Sequence, residues 1–179
     1  FLPSLLIAQT IDNIVVTATR SGVPINLVSA PITVIDREQI ELSLAKDVAQ
    51  ILRFEAGLDI GRNGGPGQAT SIFTRGTESN HTLVLIDGVR INPGTIGGAA
   101  FQNISPEIIE RIEIVKGARS ALYGTEAIGG VVNIITRKVQ SSRITTSTGY
   151  GSFGSKTTYL DLGFANQNSE FGFSIDSNK

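Results

Sequence analysis

The regular alternation of apolar and polar residues after Lys138 constrains this chain more than any other feature. Three segments show it, at residues 143–150, 159–164 and 170–176, with short turns at 152–155 and 166–168. Strands with one apolar face and one small or polar face are typical of transmembrane β-barrels. A β-sandwich gives the same alternation, so the pattern alone leaves both architectures open. The chain ends before either sheet could close, and we therefore expect these strands to be the first of a longer series.

Composition excludes several classes of function. The 179 residues suffice for one domain and part of a second, and 40% of them are hydrophobic, enough for a core. A net charge of −1 gives no basic field for nucleic acid. Without cysteine and with a single histidine, the chain offers no disulfide framework, thiol nucleophile or zinc ligand set. A carboxylate site for a hard cation stays open, whereas no nucleophile–base pair suggests an enzyme.

The N-terminal residues suggest export. No stretch reaches the roughly 18 consecutive apolar residues of a membrane helix. Methionine is absent throughout, even at position 1, so we expect the start of a precursor to be missing. Residues 1–8 (FLPSLLIA) are interpreted as a signal-peptide remnant with Ala8 at a cleavage site, although an ordinary apolar terminus would also explain them.

Residues 9–26 are predicted to be extended. The run Ile14–Thr17 is β-branched at every position, which favours a strand-like backbone. No hairpin partner is evident beside it, and Pro24 and Pro31 indicate a loop.

Residues 27–138 are predicted to form a small α+β domain with a mixed sheet and short helices. A helix is expected over Asp47–Phe54, ended by Gly57, and Asp36 should cap a turn running to Ile40. Ser105-Pro106-Glu107 has the pattern of a helix start. Further elements are predicted as strands at Ile32–Ile35, Thr70–Arg75, Thr82–Asp87, Arg111–Lys116 (half-buried) and Gly130–Thr136, and as one helical turn at Ser120–Tyr123.

Two glycine-rich loops are candidate ligand sites, at residues 61–70 and 90–101. Neither carries a phosphate-binding motif, because the first loop has no Lys and does not join a strand to a helix. Small residues let a bulky ligand approach the backbone, yet tolerant surface loops would have the same composition. Apart from Arg62 and Arg90 the loops are uncharged, which favours a large neutral ligand over an anion. The proposed ligand contacts are Gly65, Pro66, Gly67, Gln68, Ala69, Asn92, Thr95 and Ile96.

The remaining polar residues have ordinary structural interpretations. His81 is expected in a turn between two strands, and Asp87-Gly88 at a strand end that feeds a turn. The charges between Glu110 and Glu126 are too dispersed for a paired-carboxylate site and indicate a solvated or salt-bridged face.

Five segments together resemble the TonB-dependent outer-membrane receptors. They are residues 12–18 (DNIVVTA), 63–68 (NGGPGQ), 72–76 (IFTRG), 82–90 (TLVLIDGVR) and 110–138 (ERIEIVKGARSALYGTEAIGGVVNIITRK). Within the family they are most similar to the cobalamin receptors. Two departures concern the ligand: Ala56-Gly57-Leu58 stands where Pro-Gly-Val is usual, and the second loop has no close match.

The resemblance implies a plug domain at 27–138 and the first antiparallel strands of a β-barrel at 139–179. A barrel of roughly 22 strands would leave an open channel without such a plug. The family imports scarce ligands across the Gram-negative outer membrane, with energy from TonB and its inner-membrane complex. Its members contact outer-membrane lipid, and those that bind cobalamin are expected to carry calcium sites in outer barrel loops. No cofactor is expected within this chain.

The resemblance also assigns residue roles. The TonB-binding segment, or TonB box, would be Asp12, Asn13, Ile14, Val15, Val16, Thr17 and Ala18. Plug residues that meet acidic partners on the barrel wall would be Arg75, Arg111 and Arg119. Two alternatives to cobalamin import stay open at this point, a ferric siderophore receptor of the same family and a soluble periplasmic binding module.

Overall fold

The computed structural model describes residues 31–65, 67–93, 98–118, 120–139, 141–166 and 169–178, and the backbone of two further residue pairs. The strands in chain order are β1 Val15–Val16, β2 Val23–Pro24, β3 Ile32–Ile35, β4 Leu58–Arg62, β5 Thr70–Thr74, β6 Thr82–Ile86, β7 Val89–Arg90, β8 Ile109–Lys116, β9 Gly130–Thr136, β10 Arg143–Tyr150, β11 Lys156–Ala165 and β12 Glu170–Asn178. The α-helices are α1 Arg37–Leu42, α2 Val48–Leu52 and α3 Ser120–Tyr123. None of the helices in these ranges is long and apolar enough to cross a membrane.

The two N-terminal residue pairs form a short ladder. β1 pairs antiparallel with β2, Val15 opposite Pro24 and Val16 opposite Val23. The expectation that this segment lacks a hairpin partner was therefore wrong. A ladder of two residue pairs is too short to leave an alternation in the sequence.

Capping side chains define the first two helices. Asp36 caps α1 and forms a capping box with Gln39, as its predicted role at a turn start requires. Asp47 caps α2 by accepting a hydrogen bond from the Gln50 backbone N–H at 2.9 Å. The predicted helix over 47–54 ends earlier, at Leu52, and Gly57 lies in the turn that leads into β4.

The main sheet has the strand order β3-β8-β9-β6-β7. Neighbouring strands are antiparallel, apart from β6 and β9, which are parallel. One face packs against α1, α2 and the β4–β5 hairpin, around Ile112, Val132 and Ile134. The other face carries a smaller cluster that includes Leu83, Val115 and Val131. The sheet is thus covered by apolar side chains on both faces.

Strand β8 differs from its predicted half-buried pattern. Ile112 and Ile114 are buried as expected, but Glu113 between them is also fully buried, at 0% exposure. It pairs with Arg111 two residues earlier, through Arg111 Nε at 2.9 Å and Nη2 at 2.8 Å from Glu113 Oε1. The alternation of charged and apolar residues was correct, but Glu113 is enclosed although Arg111 is partly exposed.

The first glycine-rich loop is shorter than predicted, because the β4–β5 hairpin includes residues from both of its ends. Gly61 and Arg62 lie in β4 and Thr70 in β5, so the loop proper spans residues 63–69. The hairpin is tied to the main sheet where the hydroxyls of Thr74 and Thr82 hydrogen-bond at 2.8 Å. His81 precedes β6 in a 3-10 turn, as its predicted place between two strands requires.

The three strands predicted after Lys138 form a sheet of their own in the order β10-β11-β12. Leu162 lies opposite Ile144 and Phe173, so the apolar side chains share one face. Tyr159 and Asp161 are on the other face and are buried. This second face is directed toward the α+β domain, because Tyr159 and Ser147 line a cleft together with Ile40 and Pro106.

Candidate functional site

The first candidate loop, residues 63–69, is a small closed turn at the tip of the β4–β5 hairpin. The Asn63 N–H donates to the Ala69 carbonyl at 3.1 Å, and the Gln68 N–H donates to the Gly65 carbonyl at 3.2 Å. Thr70 Oγ1 closes the base by donating to the Gln68 carbonyl at 2.9 Å. The candidate contacts Gly65, Gly67, Gln68 and Ala69 are all exposed, and Pro66 lies outside the described residues.

Arg62 anchors this loop from below. Its Nη2 lies 2.8 Å from both carboxylate oxygens of Asp47, the capping residue of α2. The two side chains are only 12% and 7% exposed. The Arg62 charge is therefore neutralised by a salt bridge within the domain, and the exposed part of the loop consists of uncharged residues.

The second candidate loop follows β7, and Asn92 in it has a structural role. Its Oδ1 accepts a hydrogen bond from the Val84 N–H at 2.7 Å, and its Nδ2 donates to the Thr82 carbonyl at 3.1 Å. With the side chain 6% exposed and bound to β6, Asn92 holds the loop to the sheet. The contact of Asn92 with ligand stays a prediction. Thr95 and Ile96 lie outside the described residues.

The first loop lies beside the segment that follows the second loop. Gly67, Gln102 and Asn103 line a cleft of about 520 Å³. Its lining also includes Thr157 and Asp176 of the three-stranded sheet and Ser155 in the turn between β10 and β11. The loop tip is therefore near the end of that sheet at which β10 joins β11. Gln102 and Asn103 were not predicted, although two amides directly after a glycine-rich loop could have suggested them. Among the described residues the buried Gln102 Oε1 has no hydrogen-bond partner.

The opposite end of the three-stranded sheet lies near the turn between β6 and β7, because Glu170 and Gly172 line a cleft together with Asp87 and Gly88. Asp87 and Gly88 form this turn with positive φ angles of 49° and 81°, a two-residue connection that suits Asp-Gly. The Asp87 carboxylate accepts from the Thr136 N–H at 2.9 Å and from its hydroxyl at 2.6 Å. Asn133 Oδ1 accepts from the Gly88 N–H at 3.1 Å. The predicted turn role of Asp87-Gly88 is confirmed, and its carboxylate additionally fixes the end of β9.

The three candidate arginines have different surroundings. Arg75 is exposed, and within the described ranges it forms no salt bridge. Arg111 is bound to the buried Glu113 of its own strand, and its contact with a barrel wall stays a prediction. Arg119 lies outside the described residues.

The charges of the β8 region are salt-bridged, as expected. Glu126 pairs with Arg90, Lys116 with Glu55 at 2.5 Å, and Glu110 with Arg137 at 4.0 Å. In the part of the chain that the structure describes, no three acidic or histidine side chains cluster as a metal site would require.

Residues 24–131 match the family model of the TonB-dependent receptor plug domain. The chain belongs to this family. The α+β domain is accordingly a plug, and the three-stranded sheet after it fits barrel strands better than a sandwich.

Two curated relatives are vitamin B12 transporters named BtuB. That of Photobacterium profundum is 51% identical over 125 residues, which cover 70% of this chain and 20% of the relative. That of Vibrio vulnificus is 46% identical over 134 residues, which cover 75% and 22%. The chain thus spans about a fifth of the length of these curated relatives.

Solved structures share the fold. The siderophore receptor PiuA from Acinetobacter baumannii superposes with a TM-score of 0.72 at 24% identity, over 87% of this chain and 22% of that one. The siderophore receptor PirA from the same species gives 0.60 at 28% identity, over 82% and 24%. The plug and the strands that follow it therefore have the architecture of these receptors.

The candidate TonB box of the plug is described only in part. Val15 and Val16 have a defined backbone in β1. The other members of the box, Asp12, Asn13, Ile14, Thr17 and Ala18, lie outside the described residues.

Proposed function

We propose that this chain is the plug and the first barrel strands of an outer-membrane receptor that binds cobalamin and imports it into the periplasm of a Gram-negative bacterium. The observation that carries the proposal is the 51% identity to a vitamin B12 transporter over 125 residues. Those residues make up 70% of this chain, so the likeness is spread along the chain and is not limited to a short motif.

The chemistry of the first loop supports a neutral ligand. Its exposed residues are uncharged, because Arg62 is neutralised by Asp47 below the loop. A corrin ligand with neutral amide groups needs backbone approach and a few hydrogen bonds, which Gly65, Gly67 and Gln68 can supply. A ferric catecholate siderophore is an anion and would favour several cationic side chains at this surface.

The faces of the three-stranded sheet support a position in lipid. Ile144 and Phe171 are 74% and 64% exposed on the apolar face, whereas Tyr159 on the opposite face is buried against the plug. Apolar side chains directed away from the plug are what a lipid-facing barrel wall requires. These faces support the proposal that the receptor lies in the outer membrane, with lipid as the partner of the apolar face.

Energy would reach the receptor from TonB and its inner-membrane complex. The outer membrane has no nucleotide supply, so the force must come from the periplasm. An extended segment at Asp12–Ala18 can add as a strand to a sheet of TonB, where backbone hydrogen bonds hold it. Pulling on it would then shift or partly unfold the plug and open a path along the barrel.

The variant Val16→Pro tests this energy coupling. Proline removes a backbone donor and interrupts strand addition, so we expect uptake of radiolabelled cobalamin by whole cells to be abolished. Equilibrium binding to the purified receptor should stay unchanged, because the box lies outside the proposed ligand site. Val16→Thr, which keeps both the backbone N–H and a β-branched side chain, is the matched control and should transport normally. Normal uptake by Val16→Pro would disprove the assignment of the box.

A ferric siderophore receptor is the second candidate, favoured by the siderophore receptors PiuA and PirA that share the fold. These likenesses are at 24% and 28% identity, against 51% for the vitamin B12 transporter. Cobalamin is therefore the first choice, and direct binding of the two ligand classes separates the candidates.

A further inference from the structure

Asn63 and Gly64 at the start of the first loop form the only Asn-Gly pair of the sequence. Both residues are exposed, and they follow β4 directly. An asparagine followed by glycine is chemically the least hindered arrangement for attack of a backbone nitrogen on the side-chain amide, because glycine has no Cβ beside the nucleophile.

The local geometry leaves both reacting groups accessible. The Asn63 N–H is held by the Ala69 carbonyl at 3.1 Å, but this bond uses neither the Asn63 carboxamide nor the Gly64 N–H. Across the described ranges neither of those two groups has a hydrogen-bond partner. Gly64 has a φ of +151°, a backbone conformation that few other residues adopt. Exposed loop backbone with few hydrogen bonds opens at low cost, which gives the pair access to the conformation that ring closure needs.

We propose that Asn63 is a site of spontaneous deamidation within the candidate ligand loop. The Gly64 nitrogen loses its proton and attacks Asn63 Cγ, the C–N bond of the carboxamide breaks, and ammonia leaves with the proton. A five-membered succinimide results. Water then opens either carbonyl of the ring and gives aspartate or isoaspartate at position 63. The net reaction consumes one water and releases one ammonia, without an oxidant or a metal.

The product would change the loop in two ways. A carboxylate at position 63 would be the only charge in the exposed loop 63–69, because Arg62 is already paired with Asp47. Isoaspartate also moves a methylene group into the backbone, beside the N–H that now bonds to the Ala69 carbonyl. That insertion should break the bond that closes the loop and displace Gly67 and Gln68.

Other asparagines of the same chain serve as internal controls. Asn103 is exposed but is followed by Ile104, whose β-branched side chain hinders approach of the backbone nitrogen. Asn92 is followed by Pro93, which has no N–H to attack with. Asn133 is buried, and its side chain accepts a hydrogen bond from Gly88. Of these four described asparagines, only Asn63 combines exposure, an unhindered neighbour and a side chain without a structural bond.

The test is incubation of the full-length receptor in detergent at mildly alkaline pH, followed by peptide mass spectrometry. Asn63 should convert to aspartate and isoaspartate at least about tenfold faster than Asn103, a barrier difference of about 1.4 kcal/mol. The rate should rise with pH, since the attacking nitrogen must lose its proton. An intact Asn63 when Asn103 has begun to convert, or equal rates at the two positions, would overturn the proposal.

Asn63→Gln separates the chemistry from its effect on the loop. Glutamine forms the six-membered ring far more slowly, so this variant should stay unmodified under the same incubation. The inference uses the proposed function only for its consequence: aged wild-type receptor should bind cyanocobalamin more weakly than fresh receptor, and aged Asn63→Gln should not. If fresh receptor fails to bind cyanocobalamin, the proposed function fails, and the mass spectra still decide the modification.

Discussion

The two large sheets of this chain are built from similar residues but bury them differently. In the five-stranded sheet of the plug, Ile112, Val131 and Ile134 are all fully buried. In the three-stranded sheet β10–β12, side chains of the same kind, such as Phe173 and Ile175, are about half exposed on one face. The plug sheet thus has its apolar neighbours within the chain, on both faces. Among the described residues, the second sheet is covered by other parts of the chain only on the side that faces the plug.

This difference shows where each sheet finds its stability. The plug sheet excludes water so completely that even the Glu113 side chain is enclosed. A buried carboxylate needs a partner of opposite charge, and Arg111 forms a salt bridge with it. The second sheet leaves its apolar face to whatever surrounds the receptor, which we propose to be lipid. Mutations in the plug sheet should accordingly change stability by breaking contacts within the chain. Mutations on the apolar face of the second sheet should change stability by an amount that depends on the surrounding medium.

The largest effect is expected for Arg111→Ala. Removal of the arginine takes an ionic partner from the buried Glu113 carboxylate, at a cost of up to about 3–5 kcal/mol. Hydrogen exchange of the β8 and β9 amides in the full-length receptor measures it as lost protection. Replacing both residues with apolar side chains of similar size should recover most of the protection.

Glu41→Ala is the control for this prediction. Glu41 pairs with Arg37 at 2.6 Å on an exposed helix turn, and its loss should cost only about 0.3–0.5 kcal/mol. Equal protection in the Arg111 and Glu41 variants would show that the buried pair has no special weight in the plug sheet.

Phe173→Lys should destabilise the barrel strands most strongly in lipid. A lysine on the lipid-facing side of a barrel strand costs about 2–4 kcal/mol near the bilayer centre. Urea titration of the full-length receptor in lipid vesicles should therefore show a loss of stability. The same titration in detergent micelles should show a smaller loss. Ser174→Lys, on the opposite face of β12, should lack this dependence on the medium. A loss for Phe173→Lys that is the same in both media would remove lipid as the partner of this face.

Asn92→Ala and Gln68→Ala should separate structure from ligand contact. The first change leaves the Val84 N–H without its acceptor in a buried position, at a cost of about 1–3 kcal/mol in stability. The second removes an exposed side chain and should leave stability unchanged but weaken cobalamin binding by about 1–1.5 kcal/mol if its hydrogen bond is buried by the ligand. Thermal unfolding and calorimetric titration give the two quantities. A reversed pattern would assign the ligand contact to Asn92 and remove Gln68 from the ligand site.

The parts of the fold that could be predicted from the sequence are determined by residues close to one another along the chain. The alternation after residue 138 gave all three strands of the second sheet, and Asp36, Asp47 and Ser105 cap the elements that they were expected to start. A capping side chain acts within three residues, so its pattern is visible in the sequence. The Asp87-Gly88 turn was visible for the same reason.

The parts that could not be predicted depend on contacts between distant segments. Asn92 bonds to β6 and Arg62 to the start of α2, and no local pattern distinguishes such residues from exposed loop residues. The burial of Glu113 likewise follows from what packs over β8 and not from the alternation within it. The described loop residues near Gly67 do converge with a segment from the second loop, but their contact with ligand stays a prediction.

The most direct test of the cobalamin proposal is calorimetric titration of the full-length receptor in detergent with cyanocobalamin and, separately, with a ferric catecholate siderophore. The neutral surface of residues 63–69 predicts tight binding of cyanocobalamin and none of the siderophore. Tight binding of the siderophore without any of cyanocobalamin would contradict it.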